Sequence, residues 1–392
     1  MTQPQRFSTS VLLTTFCLAS AFGAEIVPNR EGLVVHEWGT FTSVADERGE
    51  SVAWAPLIET PDLPCFVNRL NPNPKSAYAE VRMETPVLYF YSQRDLDLSV
   101  HVAFPHGLIT EWYPKATKVT PQMSTGQISP GYRDGQIAWD ALHVTPGPDP
   151  MFPTGEGVSR YCAARHTDAV PLEIAGQHEK MIFYRGIGDF AIPLRAVIDS
   201  QGRLEIANRD ADSLPLVIYF ENRDGRMGYR LLRDLKGHER VEPPVLDGNL
   251  DQVRLTLANE LVARRLYPKE AAAMIETWHD SWFENGSRII YIVPRAMVDK
   301  VLPLNVAPSP ASVERVFVGR IELLSPAVRQ TIESALTKGD VPTLAKFGRF
   351  LDPFVNQIRG SSPGVFASHA ATDYFMQANQ QVWRSLGTSC IR

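Results

Sequence analysis

Three glutamates and one arginine stand in segments that otherwise read as apolar strands: Glu37, Glu84, Glu111 and Arg185. Side chains alternate between the two faces of a strand. Glu37 then shares a face with Leu33, Val35 and Phe41, and Glu84 with Leu88 and Phe90. Glu111 goes with Ile109 and Tyr113, and Arg185 with Met181 and Phe183. A buried charge costs several kcal/mol unless it is paired, so Glu37 or Glu84 is expected to pair with Arg185. Carboxylates in an apolar wall can hold a divalent ion or act as general acid and base. The same groups could instead form a plain ion pair or cap loop amides.

The histidines divide by the same rule. His36 falls on the face opposite Glu37, with Val34, Trp38 and Val44, so the two neighbours should not converge on one metal unless a bulge intervenes. Leu98, Val100, Val102 and Phe104 lie opposite His101, which is therefore expected at the surface, with His106 in the turn that follows. His36, His101, Trp112, Tyr113 and Tyr184 are the candidate ligand-binding residues, beside the candidate catalytic set Glu37, Glu84, Glu111 and Arg185.

Familiar signatures are absent or incomplete. There is no P-loop, and Gly186-Ile187-Gly188 lacks the third glycine of a dinucleotide fingerprint. His36-Glu37 has Thr40 where a zinc-protease helix needs its second histidine. Gly360-Ser361-Ser362-Pro363-Gly364 fits G-x-S-x-G in letters, but a helix precedes it where a nucleophile elbow needs a strand, so it reads as a helix-ending loop. Glu276-x-x-His279 has no second such step to complete a bundle metal site. Asn208–Asp212 alternates oxygen ligands like a calcium loop, yet Ser213 and Tyr219 occupy its glycine and bidentate glutamate positions. No cofactor is expected.

The elements that must position these residues change character along the chain. From Gly32 to about Leu235 the text reads as strands, with Leu33–Val44, Val81–Ser92, Leu96–Phe104, Leu108–Tyr113, Gln136–Val144 and Lys180–Arg185 first. A four-strand meander over 192–232 follows, turning at Asp199–Gly202 and Asn222–Gly225. Long loops at 61–75, 114–135 and 146–157 suit binding surfaces. After Val241-Glu242-Pro243-Pro244 come helices at 250–266 and 269–283, and strands at 288–293 and 315–324. Three further helices are expected at 325–338, 341–358 and 372–386, the first opened by Ser325-Pro326. The fold class is α+β: a β-rich N-terminal half forming a β-sandwich over 25–240, then a helix-rich region with a few strands over 245–392.

Residues 1–24 have the three zones of a secretion signal: a short polar start with Arg6, an apolar run of about 11 residues from Val11, and small residues at Ala19, Ala21 and Gly23. A spanning helix needs about 20 apolar residues, and no later stretch approaches that, so no membrane span is expected after cleavage. With 44% apolar and 21% charged residues the rest is ordinary globular material. The formal charge of −5 becomes −6 when Arg6 leaves, and no basic stripe suggests a nucleic-acid partner. Cys17 also leaves, and Cys65, Cys162 and Cys390 allow one disulfide with one thiol over.

Five segments taken together resemble a family of exported bacterial proteins that is known only as uncharacterised. They are His36–Thr42, Glu84–Tyr91, Thr110–Pro114, Phe183–Gly186 and Trp278–Phe283. The resemblance spans roughly residues 33–325 and implies a bacterial, extracytoplasmic protein. The expected role is binding of an envelope ligand or protein partner, the alternative an extracytoplasmic hydrolase, metal-assisted or not, built on the carboxylates. N-terminal sequencing of the mature chain from the extracytoplasmic fraction should begin at Phe22 or Ala24; an intact Met1 there would refute cleavage.

Overall fold

The computed structural model describes residues 32–58, 63–71, 77–121, 134–155 and 160–385. Residues 1–24, expected to be a secretion signal, Cys390 and parts of the three long loops lie outside them. In chain order the strands are β1 (Val34–Val44), β2 (Asn68–Arg69), β3 (Val81–Tyr91), β4 (Leu96–Phe104), β5 (Gly107–Tyr113), β6 (Lys118–Thr120), β7 (Gly135–Val144), β8 (Leu172–Ile174), β9 (Gln177–Glu179), β10 (Ile182–Gly188), β11 (Leu194–Ile198), β12 (Leu204–Asn208), β13 (Leu214–Arg223), β14 (Arg226–Leu235) and β15 (His238–Val241). Then come α1 (Leu250–Ala263), α2 (Pro268–Trp282), β16 (Gly286–Ile292), α3 (Arg295–Val301), β17 (Leu304–Ala307), β18 (Ser312–Leu323), α4 (Pro326–Lys338), α5 (Val341–Ala345), α6 (Leu351–Ser361) and α7 (His369–Ser385). A β-rich N-terminal half and a helix-rich C-terminal half make this an α+β protein, as its sequence indicates.

The main sheet runs β14-β13-β16-β18-β1-β3-β10-β5-β2. Smaller sheets, β17-β4-β7-β8-β9 with β6 beside β7 and β11-β12-β15, cover one of its faces. The core between them holds Val35 and Phe41 of β1, Phe317 and Ile321 of β18, Val100 and Val102 of β4, and Trp139 of β7. The layers pack face to face as a sandwich, but not within the expected 25–240, because β16 and β18 complete the main sheet. The opposite face is covered by helices: α1 and α2 pack Leu257, Met274, Trp278 and Trp282 onto Trp38, Val87 and Phe183. The C-terminal helices form a separate cluster around Val44, Trp54 and Leu351. The main sheet is thus covered on both faces, and every residue of β1 and β3 is buried.

Local chemistry explains many boundaries. Asp224 and Gly225, with φ of 51° and 86°, make the turn that joins β13 to β14, where both central residues need positive φ. Ser325 caps α4 with Pro326 in its first turn. Glu270, the third residue of α2, accepts from the Tyr267 backbone N–H at 2.7 Å. The single helix expected over 341–358 is divided, because Gly348 turns left-handed at φ 50° between α5 and α6. Gly360 and Ser361 end α6 and Pro363–Phe366 form a short 3-10 turn, so a helix precedes Ser362, as expected.

Two expectations of organisation fail. The strands over 192–232 do not form one meander: β11 and β12 join β15, while the β13–β14 hairpin extends the main sheet through β16. The boundary at 241–244 does not separate two structural units either. β18 lies parallel to β1 along its whole length, and β16 lies between β18 and β13. The N-terminal strands therefore lack the middle of their sheet without residues 286–323. Residues 25–240 expressed alone should show no cooperative unfolding transition, whereas the mature chain should. A sharp urea transition in the fragment would refute this.

Candidate functional site

The segments that resemble the exported family meet at one place. Four of them supply β1, β3, β10 and β5, which are successive strands of the main sheet, and the fifth is the end of α2 lying on it. All three contacts between these strands lose regular register at a common level. The β1–β3 pairing slips between Trp38 and Thr40, β3–β10 between Phe183 and Gly186, and β10–β5 between Arg185 and Gly186. Thr85 in the middle has φ of 47°, a strained value for a β-branched residue. Bulges re-aim side chains and recur beside functional sites.

These slips overturn simple alternation. Leu88 and Phe90 face the sandwich core, but Glu84 points to the helical side, because the irregularity at Thr85 shifts the phase of β3. Ile109 and Tyr113, expected on one face with Glu111, fall in different cores. The result is one polar level across the sheet, where Thr40 stands opposite Glu84 and Glu111 opposite Arg185.

The expected pairing of Glu37 or Glu84 with Arg185 is not formed. Arg349, beside α6, donates to Glu84 at 2.8 Å. Arg82 lies 3.8 Å from Glu111, which also accepts a very short bond from the Thr110 hydroxyl. Arg185 donates to the Thr85 hydroxyl at 3.1 Å and stacks on Phe183 and Trp278, 5.6 and 6.0 Å from the ring centres. On the neighbouring strands Arg288 and Arg320 each donate to Glu322 at 2.7 Å, and Arg320 reaches Ser281 at 2.6 Å. Burial pushes the Glu84 carboxyl up, yet Arg349 and Arg82 outweigh it and hold it below the ordinary value of 4.5. Glu322 behaves alike through Arg288 and Arg320. Arginine is suited to such work, since its planar fork stays charged when buried.

Glu37 lies elsewhere. It is wholly buried, accepts from the Tyr184 hydroxyl at 2.5 Å and pairs with Arg315 at 2.5 Å. Arg315 continues to Asp299 at 2.9 Å. Burial first, and then Glu37, raises the Tyr184 hydroxyl well above its usual range. His36 faces the other way, as expected, meeting Glu270 at 2.8 Å, while Tyr91 donates to the same carboxylate at 2.7 Å. His36 and Glu37 therefore do not converge. Tyr113 packs on Phe66, and burial followed by Glu179 pushes its hydroxyl up to about 12. Trp112 is half-buried, and its carbonyl accepts from Asn68. His101 is exposed and meets Asp140 at 2.8 Å.

Glu276 and His279 do not act as a ligand pair: Arg160 sits against both the Glu276 carbonyl and the His279 ring. Asn208 instead closes a turn, its amide donating to the Asp212 carbonyl at 2.8 Å. Among the described residues no three His, Cys, Asp or Glu gather as metal ligands. Cys65 is disulfide-bonded and Cys162 is a free thiol. Sequence reasoning missed Arg82, Arg315, Arg320, Arg349, Glu270 and Glu322. Only Glu270 carried a local signal, its place three residues after the turn at Tyr267-Pro268.

No family model and no curated protein matches this chain. Among solved structures, the yeast delta-COP-I mu-homology domain complexed with a Dsl1 WxWxV peptide aligns over 76% of this chain and 98% of its own, with 10% identity and a TM-score of 0.26. The same domain without the peptide gives 11% identity and a TM-score of 0.27 at equal coverage. Likeness at that level carries no argument about this protein.

The pairs around Glu84 make a test. A carboxyl whose folded pKa is depressed contributes stability above its unfolded pKa, and loses it as pH falls through the folded value. The wild-type chain should lose stability as pH drops below 4.5. Arg349→Met should cost roughly 3–5 kcal/mol at neutral pH by stranding a buried carboxylate, and should flatten that acid dependence. Urea midpoints across pH would check both; a variant parallel to wild type would contradict the pairing.

Proposed function

We propose that the chain is an exported protein that binds a ligand or partner of the bacterial envelope through the polar level of Thr40, Glu84, Glu111 and Arg185. The observation that carries this reading is the coincidence of three register slips, a strained Thr85 and the five family-like segments at one level of the sheet. Strained backbone residues cluster at ligand clamps and active sites, which supports reading this level as a site.

Binding is favoured over hydrolysis by the state of the carboxylates. A general acid needs a pKa raised toward the working pH. Glu84 is held ionised by its guanidinium partners, and Glu37 is enclosed by Tyr184 and Arg315. Metal-assisted chemistry would need a ligand cluster, and the candidates among the described residues are spread over separate pairs. Extracytoplasmic placement is supported by the signal-like residues 1–24 and by the disulfide at Cys65, which suits an oxidising compartment. Among the described residues no helix is long and apolar enough to cross a membrane.

The mature chain should be retained by envelope fractions of its host in a saturable way. Arg185→Lys keeps the charge but loses the planar fork and its stacking on Trp278, so retention should fall about tenfold in affinity, roughly 1.4 kcal/mol. Sedimentation with labelled protein would measure it. Failure of the wild-type chain to bind any fraction would refute the proposal, as would undiminished binding by the variant.

A further inference from the structure

The outer face of the sheet β17-β4-β7-β8-β9 carries a trough remote in sequence from the polar level. Strand register puts Asn305 opposite His101, His101 opposite Ala138, and Ala138 opposite Lys118. These four residues thus form one row across β17, β4, β7 and β6. Beside it, Ala103 stands opposite Gln136. Apolar neighbours Val100, Val102, Ile137 and Val306 point into the sandwich core, so alternation sends the row outward. Ala103 and Ala138 are short, which leaves a depression of about 340 Å³ between the longer side chains.

One wall is fixed in place. β7 bulges where Ala141 takes φ of 58°, and the pairing with β4 slips between Leu98 and Val100. This sets Asp140 diagonal to His101, with which it bonds at 2.8 Å. The Asp140 backbone N–H donates to the Thr117 hydroxyl at 2.8 Å, which anchors the bulge.

We propose that this trough binds a neutral oligosaccharide. Its rim carries one cation, Lys118, and one carboxylate, Asp140, so it offers no net charge to attract an ion. Gln136 and Asn305 each present donors and an acceptor, and the His101–Asp140 pair adds both kinds. Groups that both donate and accept, without charge, match vicinal sugar hydroxyls. The methyls of Ala103 and Ala138 provide a flat apolar floor for the C–H face of a sugar ring. Four strands at about 4.8 Å spacing give a row roughly 14 Å long, which suits a chain of sugar units more than a single one.

The proposal goes beyond the polar level of the main sheet and can fail independently of it. Titration calorimetry of the mature chain with chitotetraose, cellotetraose and maltotetraose should show saturable binding to at least one of them. His101→Ala and Asn305→Ala, both at exposed positions, should weaken it about tenfold without lowering the thermal midpoint. No saturable heat with any of the three would overturn the proposal. So would unchanged affinity in both variants, or tighter binding of a sulfated oligosaccharide of equal length. Saccharide binding together with absent retention by envelope fractions would count against the earlier reading alone.

Discussion

A charge inside a sheet that is covered on both faces must find its partner within the protein, because no water reaches it. That constraint governs the main sheet of this chain. Its strands carry Glu37, Arg82, Glu84, Arg185, Arg288, Arg315, Arg320 and Glu322, all buried. Stranding one such group costs several kcal/mol, while the intact pair is roughly neutral against an apolar substitute. The ion pairs therefore do little to increase stability. Two of them join neighbouring strands, Glu37–Arg315 across β1 and β18 and Arg288–Glu322 across β16 and β18, while Glu84–Arg349 ties β3 to the turn before α6.

The β1–β18 contact is the clearest of these links. Parallel pairing sets Glu37 opposite Arg315, and the pair closes on the Tyr184 hydroxyl from β10. On the other face, His36 and Tyr91 converge on Glu270 and tie β1 and β3 to α2. Adjacent residues of one strand thus fasten the sheet to different layers. A shift of β1 by one residue would exchange the two faces and leave both charges facing apolar cores.

What was legible in the sequence was local. Strands, hairpin turns and helix caps follow from neighbours a few residues apart, and the expected positions of β1, β4, Ser325 and the 222–225 turn agree with the structure. That His36 and Glu37 diverge, and that His101 lies at the surface, also follows from alternation alone. The ion pairs were not legible. Glu37 is 278 residues from Arg315, and Glu84 is 265 from Arg349. Within the β-rich half, Arg185 is the guanidinium that alternation places on an apolar strand face with Met181 and Phe183, which makes it the expected partner, although Arg82 lies two residues from Glu84. Alternation failed for Glu84 and Glu111 at the slips, because the residues that cause them are ordinary Thr, Pro and Gly.

The same constraint separates the two proposed binding regions by kind. At the polar level, charges are already committed to partners inside the protein, and binding there must compete with or extend pairs such as Glu84–Arg349. A ligand at that level gains specificity from fixed guanidinium forks, at the expense of disturbing groups that also order the strands. On the outer face of the smaller sheet, Lys118, Gln136, Asp140 and Asn305 are exposed, and the His101–Asp140 pair lies at the surface. Exposed substitutions usually change stability by little, so that face has room to change its ligand without changing its architecture. The interior level cannot, and its residues are bound to the fold as firmly as to any function they serve.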